Sequence, residues 1–367
     1  MMLSFYRTLG LVGLLLIFYF FPQEIAHPIR VIHKGIDLKD PVDCTLMEVR
    51  DANNRPAHYY MNVESVVCGD SQCRVDIVKI YWDKFGRFDR LLVPVGVHLE
   101  KNEGLSFTGE DYKKLEKILK DENSPLQDLY KSEVVGSMGG EGVDALSGAT
   151  ILVEKSAFVE GAVWTSYSLW HWAHGSAKDH IRRITGDSYT ISELHSLTNS
   201  SDSYVQVFAL EALEAKNDYS LESIETILTA VEEDFSLLKS TLSYWKGAPN
   251  ESSIYAYSQL LTEADSPSRI IILRAILDSD LVFEPTFVEN LNLPSGETTY
   301  QEIDLWLKIL QKNRVITEPI QLQLATLLED PDFLISRRVY WFLKGQSLSS
   351  ELQGRLDSYY ANWKEKL

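Results

Sequence analysis

The stretch Val143-Asp-Ala-Leu-Ser-Gly-Ala-Thr150 divides this 367-residue chain into parts of different character, with strand patterns only before it and mainly helical patterns after it. Its last residue, Thr150, supplies a hydroxyl, which is a weak nucleophile unless another group activates it. Gly148 and Ala149 have little or no side chain, so another molecule can approach the backbone closely. Ser147 can donate a hydrogen bond to a phosphate oxygen. The alternative interpretation is a tight turn that ends in a helix cap, where serine, glycine and threonine are common.

The residues before this stretch have the pattern of a mixed α/β domain. Val, Ile and Tyr are enriched in three segments, which predicts strands there. The segments are His58–Val67, Arg74–Trp82 and Phe88–Val97. Asp83 and Gly86 are typical of a turn between strands. The spacing of apolar residues predicts a helix over Asp111–Lys120, with Thr108 as its cap, and another over Ile151–Trp164.

The second half of the chain is predicted to be entirely helical. Glycine becomes scarce there, and amphipathic segments follow one another with short polar breaks such as Asp265-Ser-Pro and Glu329-Asp-Pro. The predicted helices are Ser203–Ala215, Leu221–Glu232, Phe235–Trp245, Ser253–Thr262, Pro267–Ser279, Tyr300–Gln311, Glu318–Leu328, Pro331–Leu343 and Ser349–Lys364. Pairs recur roughly every 30–45 residues, which favours a HEAT-like helical solenoid over an irregular bundle. The fold class is therefore an α+β domain over residues 58–185, followed by an all-α HEAT-like solenoid over residues 190–367.

The opening stretch also fits a defined pattern, Asp-x-x-(Ser/Thr)-Gly-Ala-Thr, in which FMN is esterified to the final threonine. Its five constrained positions would occur by chance about once in a thousand chains of this length. The motif and its place after a strand-turn-strand unit resemble the FMN-binding domain family. Members of that family include subunits of the sodium-translocating NADH:quinone reductase and of Rnf complexes. The resemblance covers residues 60–175, whereas the helical second half departs from those subunits.

The resemblance implies a covalent cofactor and a set of partners. FMN would be joined through its phosphate to Thr150, and Asp144, Ser147, Gly148 and Ala149 would complete the motif. An FAD:protein FMN transferase would make the bond. The flavin would then carry electrons outside the cytoplasm, to or from a redox partner protein or the quinone pool.

A second cluster, Trp164-Thr-Ser-Tyr-Ser-Leu-Trp-His-Trp-Ala-His174, follows the motif closely. Its large rings, among them Trp164, Tyr167, Trp170 and His171, are candidates to flank a flavin ring, which needs a flat apolar wall. His171 and His174 are three residues apart, so a metal or haem pair is a second interpretation. Ordinary core packing is the third.

The N-terminus predicts export. Leu9–Phe21 is an uninterrupted apolar run after a single cation, Arg7, and its length suits a secretory signal better than a membrane-spanning helix. Residues 1–26 are therefore predicted to be a signal peptide, with a candidate cleavage site after Ala26, or an uncleaved membrane anchor. Residues 27–57 are predicted to be a linker or N-terminal extension. The protein is expected in the periplasm or on the outer face of the cytoplasmic membrane.

The charge of the chain bears on its partners, and its cysteine content bears on possible disulfide bonds. The chain has 35 Lys and Arg residues against 53 Asp and Glu residues, a formal net charge of −18, so nucleic acid is not an expected partner. The three cysteines are Cys44, Cys68 and Cys73. In an oxidising compartment Cys68 and Cys73 are the first candidates for a disulfide, although Cys44 could pair with either.

Three functions are compatible with these features. The first is a covalent flavoprotein electron carrier whose helical domain docks a partner. The second is a non-redox scaffold of the cell envelope in which the flavin domain is degenerate. The third is an exported reductase that uses the flavin on a small substrate.

Overall fold

The computed structural model describes residues 23–34, 41–66, 75–129, 155–283 and 298–367. The chain divides into two compact units, Met1–Ser188 and Tyr189–Leu367. The described part of the first unit contains a β-sheet and helices, and that of the second contains helices, so the predicted order of an α+β domain and a helical region is confirmed. The Asp144–Thr150 motif, Cys68 and Cys73 lie outside the described residues.

The sheet of the first unit is an antiparallel meander in which the strands follow one another in chain order. The strands are β1 (Glu24–Val31), β2 (Val42–Arg50), β3 (Pro56–Glu64), β4 (Ile77–Asp83) and β5 (Phe88–Leu92). The predicted turn between β4 and β5 is confirmed, since the Asp83 carboxylate accepts hydrogen bonds from the backbone N–H groups of Phe85 and Arg87. Gly86 adopts a φ of 84° there, which favours glycine. Strand β5 is shorter than predicted because Pro94, two residues after its end, has no N–H for a sheet ladder.

Residues 27–57, predicted to be a linker or N-terminal extension, include most of β1 and all of β2, which are strands of the sheet. Ile29 and Val31 of β1 are buried in the core of the unit. Pro28 lies within β1, which is at the edge of the sheet, where a proline is tolerated. Cleavage after Ala26 would remove the first three residues of β1.

The half-buried Cys44 is a free thiol on β2. Burial and the neighbouring Asp43 carboxylate raise the pKa of this thiol. Both effects favour the unreactive protonated form.

Helices α1 (Gly109–Lys120), α2 (Val163–His174) and α3 (Ala177–Asp187) complete the described part of the first unit. The predicted cap of α1 is confirmed: Thr108 and Asp111 form a capping box, and hydrogen bonds from Thr108 and Lys101 lower the pKa of Asp111 to about 2. The prediction of one helix over Ile151–Trp164 is wrong within its described part. Lys155–Ala157 is a 3-10 turn, and Gly161 then turns the chain with a φ of 76° before α2 begins.

Helix α2 is fixed to the sheet by packing and by a buried hydrogen bond. Trp82 of β4 is fully buried, and its Nε1 donates to the backbone oxygen of Ala173 at 2.7 Å. Tyr59 of β3 is likewise buried, and its hydroxyl lies 2.8 Å from that of Thr185 on α3. These contacts set the position of the C-terminal half of α2, where the candidate site lies.

The second unit consists of helices joined by short connections. They are α4 (Ile191–Thr198), α5 (Ser203–Ala215), α6 (Leu221–Glu233), α7 (Leu238–Lys246), α8 (Asn250–Glu263), α9 (Ser266–Asp278), α10 (Tyr300–Asn313), α11 (Glu318–Thr326), α12 (Phe333–Lys344) and α13 (Ser350–Trp363). The predicted helices from Ser203 onward are present with ends that differ by a few residues, and α3 and α4 were not predicted. A HEAT-like repeat remains a prediction. Of the helices that the structure describes, none has the length and apolar character needed to cross a membrane.

A buried carboxylate joins α9 to α10. The side chain of Glu302 is 1% exposed, and it accepts hydrogen bonds from Arg269 Nε at 2.6 Å, Ser266 Oγ at 3.0 Å and the Thr299 hydroxyl at 2.7 Å. Burial opposes its ionisation, but these hydrogen bonds outweigh burial and lower the pKa of Glu302. Its stabilising contribution is therefore present at neutral pH and is lost as the pH falls through that lowered pKa.

We expect Arg269→Met to destabilise the protein by about 1.5–3 kcal/mol at pH 7, the usual range for a hydrogen bond to a charged group. The loss should shrink at acidic pH, where Glu302 is protonated in both proteins. Urea unfolding at pH 7 and in a series of increasingly acidic buffers measures the loss and its dependence on pH. Arg337→Met, a change on α12 away from this carboxylate, is the control, and an equal loss in the two variants at pH 7 would contradict the assignment.

Candidate functional site: a cleft beside helix α2

Helix α2 is a buried helix with apolar and aromatic residues on all sides. Every residue from Thr165 to Ala173 is buried, as expected for a helix that is hydrophobic all round. Its first turn is fixed by Ser166, whose hydroxyl accepts from the Val159 N–H and donates to the Ala162 carbonyl, both at 3.0 Å.

The structure brings the four predicted ring residues together on this helix. Tyr167 and Trp164 meet edge to face with centroids 6.0 Å apart, and Tyr167 and His171 do so at 4.4 Å. Trp170 lies 5.1 Å from the His171 ring and 4.7 Å from the His174 ring. They therefore form one continuous aromatic cluster.

Most polar atoms of this cluster form hydrogen bonds with backbone carbonyls at the end of α1 and in the segment that follows it. The Tyr167 hydroxyl donates to the Leu129 carbonyl at 3.2 Å, and Trp170 Nε1 donates to the Asp121 carbonyl at 2.8 Å. His174 Nε2 lies 2.8 Å from the Leu119 carbonyl, so this nitrogen carries the proton. Burial is the main cause that lowers the pKa of His174.

His171 differs from these neighbours. Its Nε2 is buried and has no hydrogen-bond partner among the described residues. Burial, with the nearby His33 and Lys34, lowers the pKa of His171 to about 3, so the ring is neutral at physiological pH.

Sequence reasoning did not identify His33, which follows β1. Its Nε2 donates to the Ser168 carbonyl at 2.9 Å, and its ring lies 4.4 Å from Trp172 and 5.9 Å from His171. Burial lowers its pKa to about 4. His33 and Ser168 are 135 residues apart, and no local pattern marks such a contact.

A cleft of about 400 Å³ opens at the C-terminal half of α2, within the first unit. Trp170, His171 and His174 line it, as do the cations Lys34 and Lys178. Lys178 pairs with Glu122, also in the lining, at 3.4 Å. The volume falls in the range of about 300–1,000 Å³ typical of small-molecule sites.

Gly175 ends α2 and also lines the cleft. A β-carbon at this position would lie 2.4 Å from the backbone oxygen of His171, which is closer than real contacts allow. Glycine is therefore required because the chain that leaves α2 passes close to the backbone of the last turn of this helix. Sequence reasoning also missed Lys34 and Lys178, because in the sequence they resemble ordinary surface lysines.

Among the described residues, no third side chain joins His171 and His174 to form a metal or haem site. Within the described ranges no group of three or more His, Cys, Asp or Glu side chains is placed to hold a metal ion.

A serine, a histidine and carboxylates also meet in the second unit. His195 Nε2 lies 2.5 Å from Ser223 Oγ, and Glu222 Oε1 lies 3.7 Å from His195 Nδ1. However, Ser223 is fully buried and its hydroxyl donates to Asp218, so His195 Nε2 must carry the proton that it donates to Ser223. That direction is the reverse of a base that activates a nucleophile. The cluster therefore links α4 to α6 and is not a catalytic triad.

Comparison of the chain with models of protein families, with curated proteins and with solved structures gave no match.

Proposed function

We propose that this protein is an exported flavoprotein that holds FMN covalently on Thr150 and acts as an electron carrier. The observation that carries the proposal is the sequence Asp144-Ala-Leu-Ser-Gly-Ala-Thr150, which matches the flavin-attachment pattern at every constrained position. FMN supplies the capacity to accept two electrons and to release them one at a time. An FAD:protein FMN transferase is the partner required for attachment, since a threonine hydroxyl is a weak nucleophile.

The described ends of the chain on either side of the motif support this proposal. Leu129, the last described residue before the motif, accepts a hydrogen bond from Tyr167 of α2. Lys155, the first described residue after it, begins the turn that leads into α2. The described segments before and after the motif therefore both adjoin α2: one contacts it, and the other leads into it.

The lining of the cleft fits a flavin. Trp170 and His174 present aromatic rings, which suit a flat heteroaromatic group. Lys34 and Lys178 add positive charge in an otherwise acidic protein, which suits a group that becomes more negative when it gains electrons. The role of this chain is then to hold the flavin and to set its electrostatic surroundings.

The helical second unit is proposed to dock the redox partner, either another protein or a component in contact with the quinone pool. Export and the location outside the cytoplasm rest on the apolar run Leu9–Phe21. The alternative functions remain the non-redox scaffold and the exported reductase.

The test is to produce the protein with a flavin transferase in a host that exports it, and then to denature it. We expect a yellow colour that stays with the denatured protein, because the flavin is covalently bound. A separate sample that has not been denatured is then chemically reduced. It should reduce about two equivalents of ferricyanide, one for each electron that a flavin carries. A colourless protein would favour the scaffold, and repeated turnover of a small substrate with a supplied donor would favour the reductase.

A further inference from the structure

We infer that the last two helices of the second unit present a patch that binds the surface of a membrane with anionic lipid headgroups. The patch is formed by partly or fully exposed side chains of α12, of α13 and of the segment after α13. They are Leu334, Arg337, Trp341, Lys344, Tyr360 and Lys366. The inference goes beyond the proposed function and uses no part of the flavin site.

The first observation is the exposure of large apolar and aromatic side chains in one place. Leu334 and Trp341 are each 48% exposed, and Tyr360 is 50% exposed. The positions 334, 337, 341 and 344 follow helical spacing, so they lie along one side of α12. Exposed apolar side chains that are grouped in this way are typical of interaction sites, whereas single ones need no explanation.

The second observation is that cations lie over the rings of this region. Lys344 Nζ is 4.7 Å from the centre of the Trp341 ring and 5.9 Å from that of Tyr360, so it joins α12 to α13. The guanidinium of Arg337 is 5.5 Å from the Phe333 ring. Positive charge and exposed aromatic surface are therefore in contact.

The end of the chain continues this arrangement. Lys366 Nζ lies 5.1 Å from the centre of the Trp363 ring, and this ring lies 5.1 Å from that of Phe333. Because Arg337 lies over the Phe333 ring, the rings and cations of the two helices form one continuous patch.

The third observation concerns the charges that the patch leaves unbalanced. Within the part of the chain that the structure describes, Arg337, Lys344 and Lys366 form no ion pair with a carboxylate, whereas Arg338 of the same helix pairs with Asp304 at 2.8 Å. The last 35 residues contain six Lys and Arg residues and three Asp and Glu residues, although the whole chain has 35 and 53. A positive region in an acidic protein fits a negatively charged surface.

The residue types favour a lipid surface over an acidic protein. Tryptophan and tyrosine are enriched where proteins meet the membrane–water interface, and Lys and Arg are attracted to anionic headgroups. Lysine is depleted in interfaces between proteins, yet Lys344 and Lys366 are central to this patch.

The test labels the lysines of the full-length protein with acetic anhydride and measures each site by mass spectrometry. Anionic vesicles of phosphatidylcholine and phosphatidylglycerol in equal parts are compared with neutral vesicles of phosphatidylcholine alone. Each Lys or Arg near an anionic surface raises the affinity about fivefold, so three raise it on the order of a hundredfold. We therefore expect labelling of Lys344 and Lys366 to slow about tenfold or more on the anionic vesicles only. Lys239, exposed on α7, should be labelled equally on both.

A double variant, Arg337→Gln with Trp341→Ser, keeps both reporter lysines and should lose most of the protection. The matched control is Arg274→Gln with Tyr255→Ser, which removes an exposed cation and an exposed ring on α9 and α8 of the same unit. This control should keep the protection of the unaltered protein.

Each contrary outcome overturns the inference, whether or not Thr150 carries FMN. Equal labelling of Lys344 on the two kinds of vesicle would do so, and this comparison needs no variant that might fail to fold. Equal slowing at Lys239 would show general adsorption instead of a patch, and undiminished protection in the double variant would place the contact elsewhere. Protection that grows with protein concentration without vesicles would assign the patch to a second copy of this chain. Attachment through the apolar run Leu9–Phe21 is open to both kinds of vesicle, so it does not produce the expected difference.

Discussion

Replacement of Thr150 by alanine is expected to leave the protein with no covalently attached flavin. The proposed bond joins the FMN phosphate to the Thr150 hydroxyl oxygen, and alanine has no oxygen to form it. The intact mass of the unaltered protein, produced with a flavin transferase, should exceed that of the same protein produced without the transferase by one FMN residue. The mass of Thr150→Ala should be the same with and without the transferase.

The matched control is Ser137→Ala, which removes a hydroxyl that precedes the motif by a few residues. This variant should still gain one FMN residue. Attachment to Thr150→Ala at the level of the unaltered protein would show that another residue carries the flavin.

Trp82→Ala should cause the largest loss of stability in the first unit, about 3–5 kcal/mol. Trp82 is fully buried in the core between the sheet and α2, and the truncation removes its indole ring and leaves a cavity. It also removes the donor to the Ala173 carbonyl. Denaturant unfolding, followed by the fluorescence of the remaining tryptophans, measures the change.

Trp82→Phe separates the contribution of ring packing to stability from that of the hydrogen bond to Ala173. Phenylalanine keeps an aromatic ring in the core but cannot donate to the Ala173 carbonyl, so a smaller loss of about 1–3 kcal/mol is expected. If Trp82→Ala lost less than Trp82→Phe, or less than about 1 kcal/mol, the core position of Trp82 would be contradicted.

Local patterns in the sequence predicted much of the fold. Strands β3 to β5 and the turn at Asp83 follow from alternation and turn residues, and the helices from Ser203 onward follow from apolar spacing. Strand β1 was not predicted, and its Pro28 is acceptable because the strand lies at the edge of the sheet. The start of α2 at Val163 was missed because apolar spacing continues through Gly161, whose positive φ ends any regular helix.

The candidate site was predicted in part. Trp170 and His171 were identified because large rings cluster close to the motif in sequence. Lys34 and His33 were not, because the contacts that bring the segment after β1 to α2 join residues more than a hundred positions apart. The lack of a hydrogen-bond partner for His171 Nε2 among the described residues could not be predicted from the sequence either, since it depends on which side chains and carbonyls the fold places beside this atom.

The most direct test of the account is the mass of one proteolytic fragment. Trypsin cleavage after Lys131 and Lys155 releases residues 132–155, in which Thr150 is the only threonine. From protein made with a flavin transferase, we expect this fragment to be yellow, to exceed its sequence mass by one FMN residue and to carry that residue on Thr150 when it is fragmented further. An unmodified fragment 132–155, or FMN found on any other residue, would contradict the account.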